Sequence, residues 1–363
     1  MNRDKQNDGK PLLTFSIGAY NQEAFIRQAV EGAFAQTYSP LQIILSDDCS
    51  KDRTFEIMAE MAAAYRGSHE VVLNRNPKNV GLVAHVNRLV QLMRGELLVV
   101  SAGDDISLPN RTSTVFEAWE ASGRRAFGVH STVIHIDEAY QPGPAEPPTP
   151  VPAGSHHFQD GPAHVKSYIR SGAPVVLGCT AAYSRTLFER FGPLPEYMVF
   201  EDMALTFRAL LSGGLAFVDH PLVLYRLHST NIHHSKVEYV VTRQALLADE
   251  ERKKTMLKRK LSVARSFRAD LEKASTLNLI REPDYTALNG ELNWFEQANA
   301  WELDYRGAGF LRRLVLFLQL AAGRVRFTPN SGRLFYRLLP TWCYCSARIL
   351  KNRVRSKLTR LAA

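Results

Sequence analysis

The stretch Gln42-Ile43-Ile44-Leu45-Ser46-Asp47-Asp48-Cys49-Ser50-Lys51-Asp52-Arg53-Thr54 decides the fold. A short β-branched, apolar run ends abruptly in two acids, and a polar turn then leads into a helical pattern with Asp52 placed to cap it. A strand buried on both faces reads this way, and such strands belong to parallel sheets with crossover helices.

The same alternation extends outward in both directions. Leu12–Ile17, Glu70–Leu73, Glu96–Val100 and Ala126–Ile136 read as further strands. Between them Glu23–Gln36, Arg53–Arg66, Leu82–Met93 and Pro109–Ala121 read as helices, Pro109 sitting where a first-turn proline loses nothing. Residues 141–154 hold six prolines and two glycines and must be a loop or flap. A helix near His164–Arg170, a strand near Gly178–Tyr183, a helix near Met203–Leu211 and a strand near Leu215–Val218 follow. From Tyr239 to Tyr305 the composition is strongly helical, with a break expected near Arg281–Tyr285. No repeat of solenoid length is present.

The chain has 363 residues and a net charge of +9, but no Asp or Glu follows Asp304. Residues 1–305 carry 32 basic against 36 acidic residues, a balance of −4, so the excess lies in the tail. Four cysteines show neither disulfide density nor zinc-site spacing, which points to a reducing compartment. Met1–Lys10 is polar and has no secretory apolar run. The longest apolar run, Leu314–Gly323, is about half the ~20 residues of a membrane span.

In open α/β sheets ligands bind beyond the carboxyl ends of the strands, and three such places hold acids. Asp47 and Asp48 suit hydrogen bonds from a nucleobase or ribose, or else form a turn and helix cap. Asp104 and Asp105 repel each other unless a cation or donor meets them; a divalent ion bridging to a diphosphate does so, and a turn before Pro109 is the plainer alternative. Glu201 and Asp202 open a helix, where a carboxylate serves either as general base or as a partner of the helix dipole. In Tyr225-Arg226-Leu227-His228, imidazole suits a metal and Arg suits a diphosphate, whereas His233 and His234 read as a solvated loop. Asn79-Val80-Gly81 turns into a helix whose His85 and Asn87 face the same crevice. No G-x-G-x-x-G fingerprint occurs, which weakens a dinucleotide-cofactor reading, and no G-x-x-x-x-G-K-[ST] loop, which excludes kinases and NTPases of that type.

Taken together and in order, Ser16-Ile17-Gly18-Ala19-Tyr20-Asn21-Gln22-Glu23, Ala35-Gln36-Thr37-Tyr38, Ile43 to Thr54, Asn79-Val80-Gly81 with Asn87, Gly103-Asp104-Asp105 with Leu108-Pro109, Glu201-Asp202 and Tyr225-Arg226-Leu227-His228 resemble glycosyltransferase family 2. The resemblance covers roughly residues 11–234 and implies a GT-A fold: a Rossmann-like, mostly parallel sheet flanked by helices, here with a helical C-terminal extension. It implies that Ala19, Tyr20, Asn21 and Glu23 line a nucleotide pocket, with Asp48, Gly81 and Asn87 nearby, and that Asp47 holds the base. Asp104 contacts ribose and metal, Asp105 is the main ligand of Mn²⁺ or Mg²⁺, and His228 assists. Asp202 is the base of an inverting transfer, with Glu201 beside it. Ala102 stands where the first Asp of the family's Asp-x-Asp motif is common. Gln42 replaces a usual acid and Cys49 a usual glycine.

The expected partners are a nucleotide-sugar donor, with UDP as the carrier, and a saccharide or lipid-linked acceptor in cell-surface polysaccharide or glycolipid synthesis. A sugar nucleotidyltransferase is the rival enzyme, but its Gly-rich basic first loop is missing; a non-catalytic nucleotide-sugar-binding protein is the other alternative. The organisation read from sequence is a catalytic domain over 1–238, a helical region over 239–305 and a basic amphipathic tail over 306–363. That tail combines Leu311, Leu314, Val315, Phe317, Leu318, Phe335, Tyr336, Trp342 and Tyr344 with basic residues. It suits an anionic membrane interface, or a helix packed on the main domain with a solvated basic face. The location expected is cytoplasmic, peripheral at the inner face of the cell membrane if the tail meets lipid. No recognition motif supports nucleic-acid binding.

Overall fold

A computed structural model describes residues 9–140, 156–228 and 242–321. The Pro-rich stretch, His233, His234 and the tail beyond residue 321 lie outside these. The chain divides into two compact units, Met1–Ile232 with Ala269–Tyr285 and His233–Arg268 with Thr286–Ala363.

The first unit opens with β1 (Leu13–Ala19), α1 (Ile26–Phe34), β2 (Leu41–Asp47), α2 (Thr54–Ala64), β3 (Glu70–Arg75), α3 (Leu82–Leu92) and β4 (Leu97–Ala102). There follow β5 (Ile106–Ser107), α4 (Arg111–Ala121), β6 (Gly128–Ile136), β7 (His156–Gln159), α5 (Gly161–Ser171), a 3-10 turn Gly178–Thr180, β8 (Ala182–Ser184), α6 (Arg185–Phe191), α7 (Glu201–Ser212) and β9 (Leu215–Arg226). The sheet order is β3-β2-β1-β4-β8-β6-β9-β5, with β7 also on β9.

β1 and β2 are buried almost throughout, and Leu13, Phe15, Ile17, Ile43 and Leu45 pack with Ile26 and Val30 of α1 and Val115 of α4. Gln42 belongs to this interior. It accepts from Thr14 Oγ1 at 2.7 Å and Arg94 N at 2.9 Å and donates to Leu92 O at 3.1 Å. An ionised acid there would have no proton for Leu92 O, so a neutral amide suits the site.

The four strands β3-β2-β1-β4 are parallel, and β6 pairs parallel with β9. The pairs β4–β8, β6–β8, β5–β9 and β7–β9 are antiparallel, so parallel character is concentrated in the N-terminal half. Successive strands move outward from β1 to β3 before β4 returns to β1's other edge. This reversal creates a crevice between β1 and β4. In register, Ala19 lies opposite Asp47 and Gly18 opposite Ala102, so the three central strands end level with one another.

Boundaries differ from the sequence reading where local chemistry intervenes. β9 runs eight residues past Val218, through Asp219-His220-Pro221, where the apolar pattern stops. Pro221 has no N–H for the ladder, and the β6–β9 register shifts beside it, between Thr132 and its neighbours. The expected strand Gly178–Tyr183 is divided into the 3-10 turn and β8.

Helix α8 (Arg243–Thr276) ends with Asn278 in the left-handed region at φ +54 and Leu279 N bonded to Ala274 O at 2.9 Å, a Schellman-type stop. The break before α9 (Glu282–Gly307) therefore falls at 277–281. Within the second unit Arg268 donates to Asn289, Asn293 and Glu296, tying α8 to α9.

Within the first unit, α7 is fixed by a buried ion pair. Arg208 Nε lies 2.9 Å from Asp270 Oδ2, and Arg208 also donates to Gly192 O at 2.8 Å. Removing one partner of a buried pair strands the other charge. Arg208→Met is expected to lower the unfolding free energy in urea by about 3–5 kcal/mol, and Arg208→Met/Asp270→Leu to recover much of it. A loss under ~1 kcal/mol for the single variant would show that the pair does not hold α7.

Candidate active site

The exits of β1 and β2 are stitched together by reciprocal hydrogen bonds. Asn21, at φ +53, donates its N–H to Ser50 Oγ at 2.9 Å and accepts from Lys51 N at 2.9 Å. Gln22 N donates to Thr54 Oγ1, Glu23 N donates to Asp52 Oδ2, and Glu23 Oε2 accepts from Arg53 N at 2.9 Å. Asp52 Oδ1 accepts from Thr54 N and Oγ1, but the N-cap of α2 is Arg53, which has no side-chain cap, so Asp52 stands one residue ahead of the capping position expected for it. The Asn21 and Glu23 side chains thus hold the loop in shape, while Tyr20 stays exposed beside it. Cys49 adopts φ +61, the left-handed conformation for which glycine is the usual residue.

The two acids after β2 divide their work. Both oxygens of Asp48 are taken: Asn76 Nδ2 at 2.8 Å and Val80 N at 3.0 Å donate to Oδ1, and Gly81 N donates to Oδ2 at 2.9 Å. Gly81, at φ +83, starts α3 in a conformation that favours glycine. Asp47 is 0% exposed; its Oδ2 accepts from Ser50 N at 2.9 Å and faces Arg75 Nε at 3.4 Å. Its Oδ1 has no hydrogen-bond partner among the described residues. A buried acceptor in that state invites a donor from a ligand.

After β4 the chain turns through Gly103, where a Cβ would lie 2.5 Å from Gln22 Oε1 and 2.8 Å from Ala19 Cβ. Asp105 is 1% exposed, and its Oδ1 accepts from Arg226 N at 2.9 Å. Burial, with Asp104 beside it, raises its pKa to about 7, opposed by the Arg226 N–H, the Cys179 thiol and the buried Arg111 guanidinium. Burial pushes the Cys179 thiol well up, which keeps it a hydrogen-bond donor to Asp105. Asp104 points elsewhere: its Oδ2 is 3.0 Å from His228 Nε2, and the His228 ring packs at 5.0 Å on Phe25.

Asp105 is therefore the inner acid of this pair and Asp104 the outer one. The Arg226 guanidinium donates to the backbone oxygens of Asp104 and Asp137 and to Gln28, and lies 5.0 Å over Phe25. It braces the turn instead of facing a diphosphate. Arg111 and Cys179 were not marked by any motif.

Glu201 and Asp202 open α7, and Asp202 Oδ1 accepts from Met203 N at 2.7 Å. Burial, with Asp202 beside it, raises the Glu201 pKa to about 8. The turn Gly178–Thr180 connects these acids with the previous pair. An ideal Cβ on Gly178 would lie 2.9 Å from Glu201 Oε1, and the next residue, Cys179, bonds Asp105. Asn87 uses both ends of its amide on the Leu194 backbone, at 2.8 and 2.9 Å, and so fixes the loop leading to α7. His85 is buried, bonded to Ser46 Oγ at 2.6 Å, and burial lowers its pKa.

Asp104 Oδ2 and His228 Nε2 form a direct hydrogen bond of 3.0 Å, and a carboxylate oxygen and an imidazole nitrogen are donor types that a divalent cation accepts. Among the described residues no cluster of three or more His, Cys, Asp or Glu is arranged to hold an ion.

Residues 14–192 match the family model for glycosyl transferase family 2. An uncharacterized protein of Mycobacterium bovis is 26% identical over 219 residues, covering 60% of this chain and 59% of that protein. The putative glycosyltransferase EpsE of Bacillus subtilis is 33% identical over 101 residues, 28% of this chain and 36% of EpsE. The chain thus spans about three fifths of the mycobacterial relative's length. Among solved structures, mannosyltransferase PcManGT from Pyrobaculum calidifontis in complex with GDP-Man and Mn²⁺ gives a TM-score of 0.49 at 16% identity, over 95% of this chain and 87% of that one. Glu201, Asp202 and His228 lie beyond the matched segment, which runs from β1 to the end of α6; over that segment the chain is similar to glycosyl transferase family 2.

Proposed function

We propose that this chain is an inverting, metal-dependent glycosyltransferase that moves a sugar from a nucleotide diphosphate, UDP as the expected carrier, to a hydroxyl of a saccharide or lipid-linked acceptor. The observation that carries this reading is the Gly178–Thr180 turn. It meets Glu201 with one residue and Asp105 with the next, so the acids after β4 and those opening α7 border one place. Similarity to the family supports the transfer chemistry, and a relative named succinoglycan biosynthesis protein ExoO, from Rhizobium meliloti and 29% identical over 133 residues, supports a role in polysaccharide synthesis.

In this reading the base of the donor donates an N–H to Asp47 Oδ1, and exposed Tyr20 lies along the same rim. Asp104 and His228 are the residues that would hold Mn²⁺ or Mg²⁺, which neutralises the charge developing on a departing diphosphate. Asp202 takes the proton of the acceptor hydroxyl as that oxygen forms a bond to the anomeric carbon. The bond to the diphosphate breaks on the opposite face, which inverts the configuration. Glu201 keeps its proton near neutral pH, since burial and Asp202 raise its pKa to about 8. Asp48, Asn87, Asn21 and Glu23 act by holding the loops that frame the pocket.

A UDP-sugar at a hundredfold excess over its Kd is expected to raise Tm by about 5–10 °C in the presence of Mn²⁺. His228→Ala should remove the Mn²⁺-dependent part of that shift only. The absence of a shift with any nucleotide sugar would overturn the donor assignment.

Asp202→Asn is expected to slow transfer by roughly 10²–10⁴-fold while leaving the donor-induced shift intact. Unchanged transfer by this variant would remove the base from the scheme. Unchanged donor binding in a wild type that releases no nucleotide diphosphate with any acceptor would favour a non-catalytic binding protein.

Between pH 4.5 and 8 the folded state retains a Glu201 proton that the unfolded chain releases, so this group weakens the fold as pH rises through that window. Glu201→Gln should therefore be more stable than wild type at pH 8 and equal to it below pH 4.5. Urea unfolding at the two pH values reads the difference, and a pH-independent gap would contradict the assigned shift.

A further inference from the structure

The last described helix, α10 (Phe310–Ala321), lies in the second unit and presents an apolar face outward. Tyr305 and Leu316 form a buried cluster with Trp301, Ala308 and Phe317 packed against it, so residues 316 and 317 face α9. Arg312 pairs with Asp304 at 2.8 Å, and Arg313 Nε donates to Tyr305 O at 3.1 Å. Those four positions share one side of the helix. Phe310, Leu311, Leu314, Val315 and Leu318 are all exposed, Leu311 and Leu318 by 75% and 57%. At 100° per residue these five fall within an arc of roughly 140°, opposite the anchored side.

An ordinary surface helix turns its apolar stripe inward and its charges outward. Here the anchored side already has its contacts, and a second apolar stripe faces away from them. Five large apolar side chains on one exposed face mark a binding surface. The charge of the sequence to which this helix belongs says for what: from Arg306 to Ala363 there are 13 Arg and Lys and no Asp or Glu. A protein partner that covers an apolar stripe does not require this one-sided excess, whereas an anionic bilayer takes apolar groups among its acyl chains and basic groups at its headgroups. At about 18 Å, α10 is too short to cross a ~30 Å hydrocarbon core. Among the described residues no helix is long and apolar enough to do so. It lies in the interface.

We propose that the outward face of α10 docks the chain on an anionic phospholipid surface. Docking of this kind stands independently of the transfer chemistry. If that chemistry also holds, it brings the chain to an acceptor carried in or on the membrane.

The test is flotation of the full chain with vesicles of phosphatidylcholine alone and of phosphatidylcholine mixed with phosphatidylglycerol. Wild type is expected to float with the anionic vesicles, less so at high salt, and to leave the neutral ones largely unbound. Leu311→Glu/Leu318→Glu and the uncharged Leu311→Gln/Leu318→Gln should each reduce partition about tenfold or more. Unchanged helicity by circular dichroism and an unchanged nucleotide-sugar shift would show both variants folded. Failure of wild type to bind anionic vesicles overturns the proposal. Equal binding by wild type and both variants also overturns it, since the lipid contact then lies elsewhere. A wild-type dimer that both variants convert to monomer, without vesicle binding, replaces the bilayer with a second copy of this chain. None of these outcomes alters the nucleotide-sugar measurement, so failure here is distinct from failure of the proposed activity.

Discussion

Burying a carboxylate at the end of β4 is the constraint around which the first unit is arranged. Asp105 is almost wholly removed from water, next to a second acid, and desolvation alone would expel its charge. The surrounding chain answers with an N–H from the end of β9, a thiol from the 3-10 turn and a buried guanidinium from the start of α4. The two hydrogen bonds and the guanidinium charge come from residues 121, 74 and 6 positions away in sequence. Satisfying one acid therefore draws β4, α4, the Gly178–Thr180 turn and β9 together, and the rest of the crevice inherits its shape from that convergence.

The acid pairs at strand ends follow a common rule. Consecutive residues of an extended chain point to opposite sides, so two adjacent carboxylates cannot both face one ligand. One is bonded by backbone N–H groups of another segment, as Asp48 by the 76–81 loop and Asp105 by Arg226 N. The other is met differently: Asp47, though buried, retains an unpartnered oxygen among the described residues, and Asp104 meets the His228 side chain. The member so bonded in each pair fixes the loop beside the other. On the proposed reading, this is why pairs rather than single acids stand after β2 and β4.

The strands and helices around the crevice were legible because their apolar patterns are local, and the switch between β1 and β4 followed from the resemblance. Side-chain direction was not legible. Asn21, Glu23 and Asn87 occupy the right segments, yet each spends its polar atoms on backbone of a neighbouring loop. Spacing along a chain says which element carries a residue; it does not say which loop lies within 3 Å. Arg226 shows the same limit, since its guanidinium faces inward to Gln28 and to the backbone at Asp104. Arg111 carried no signal, being an ordinary charged residue at a helix start. Cys179 was counted only for its spacing to other cysteines, and its contact with Asp105 depends on a turn that reads as a strand.

That turn also sets how close the two halves of the crevice come. Gly178 lies against the Glu201 carboxyl, and a Cβ there, 2.9 Å from Glu201 Oε1, would make that carboxyl turn aside. Asn87 pins the preceding loop at Leu194, and Arg208 grips Gly192 O from within α7, so the helix cannot slide to relieve such a displacement. An in-line displacement tolerates little error in the separation of base and leaving group. On the proposed reading, the packing of the Gly178 backbone on the Glu201 carboxyl serves that demand.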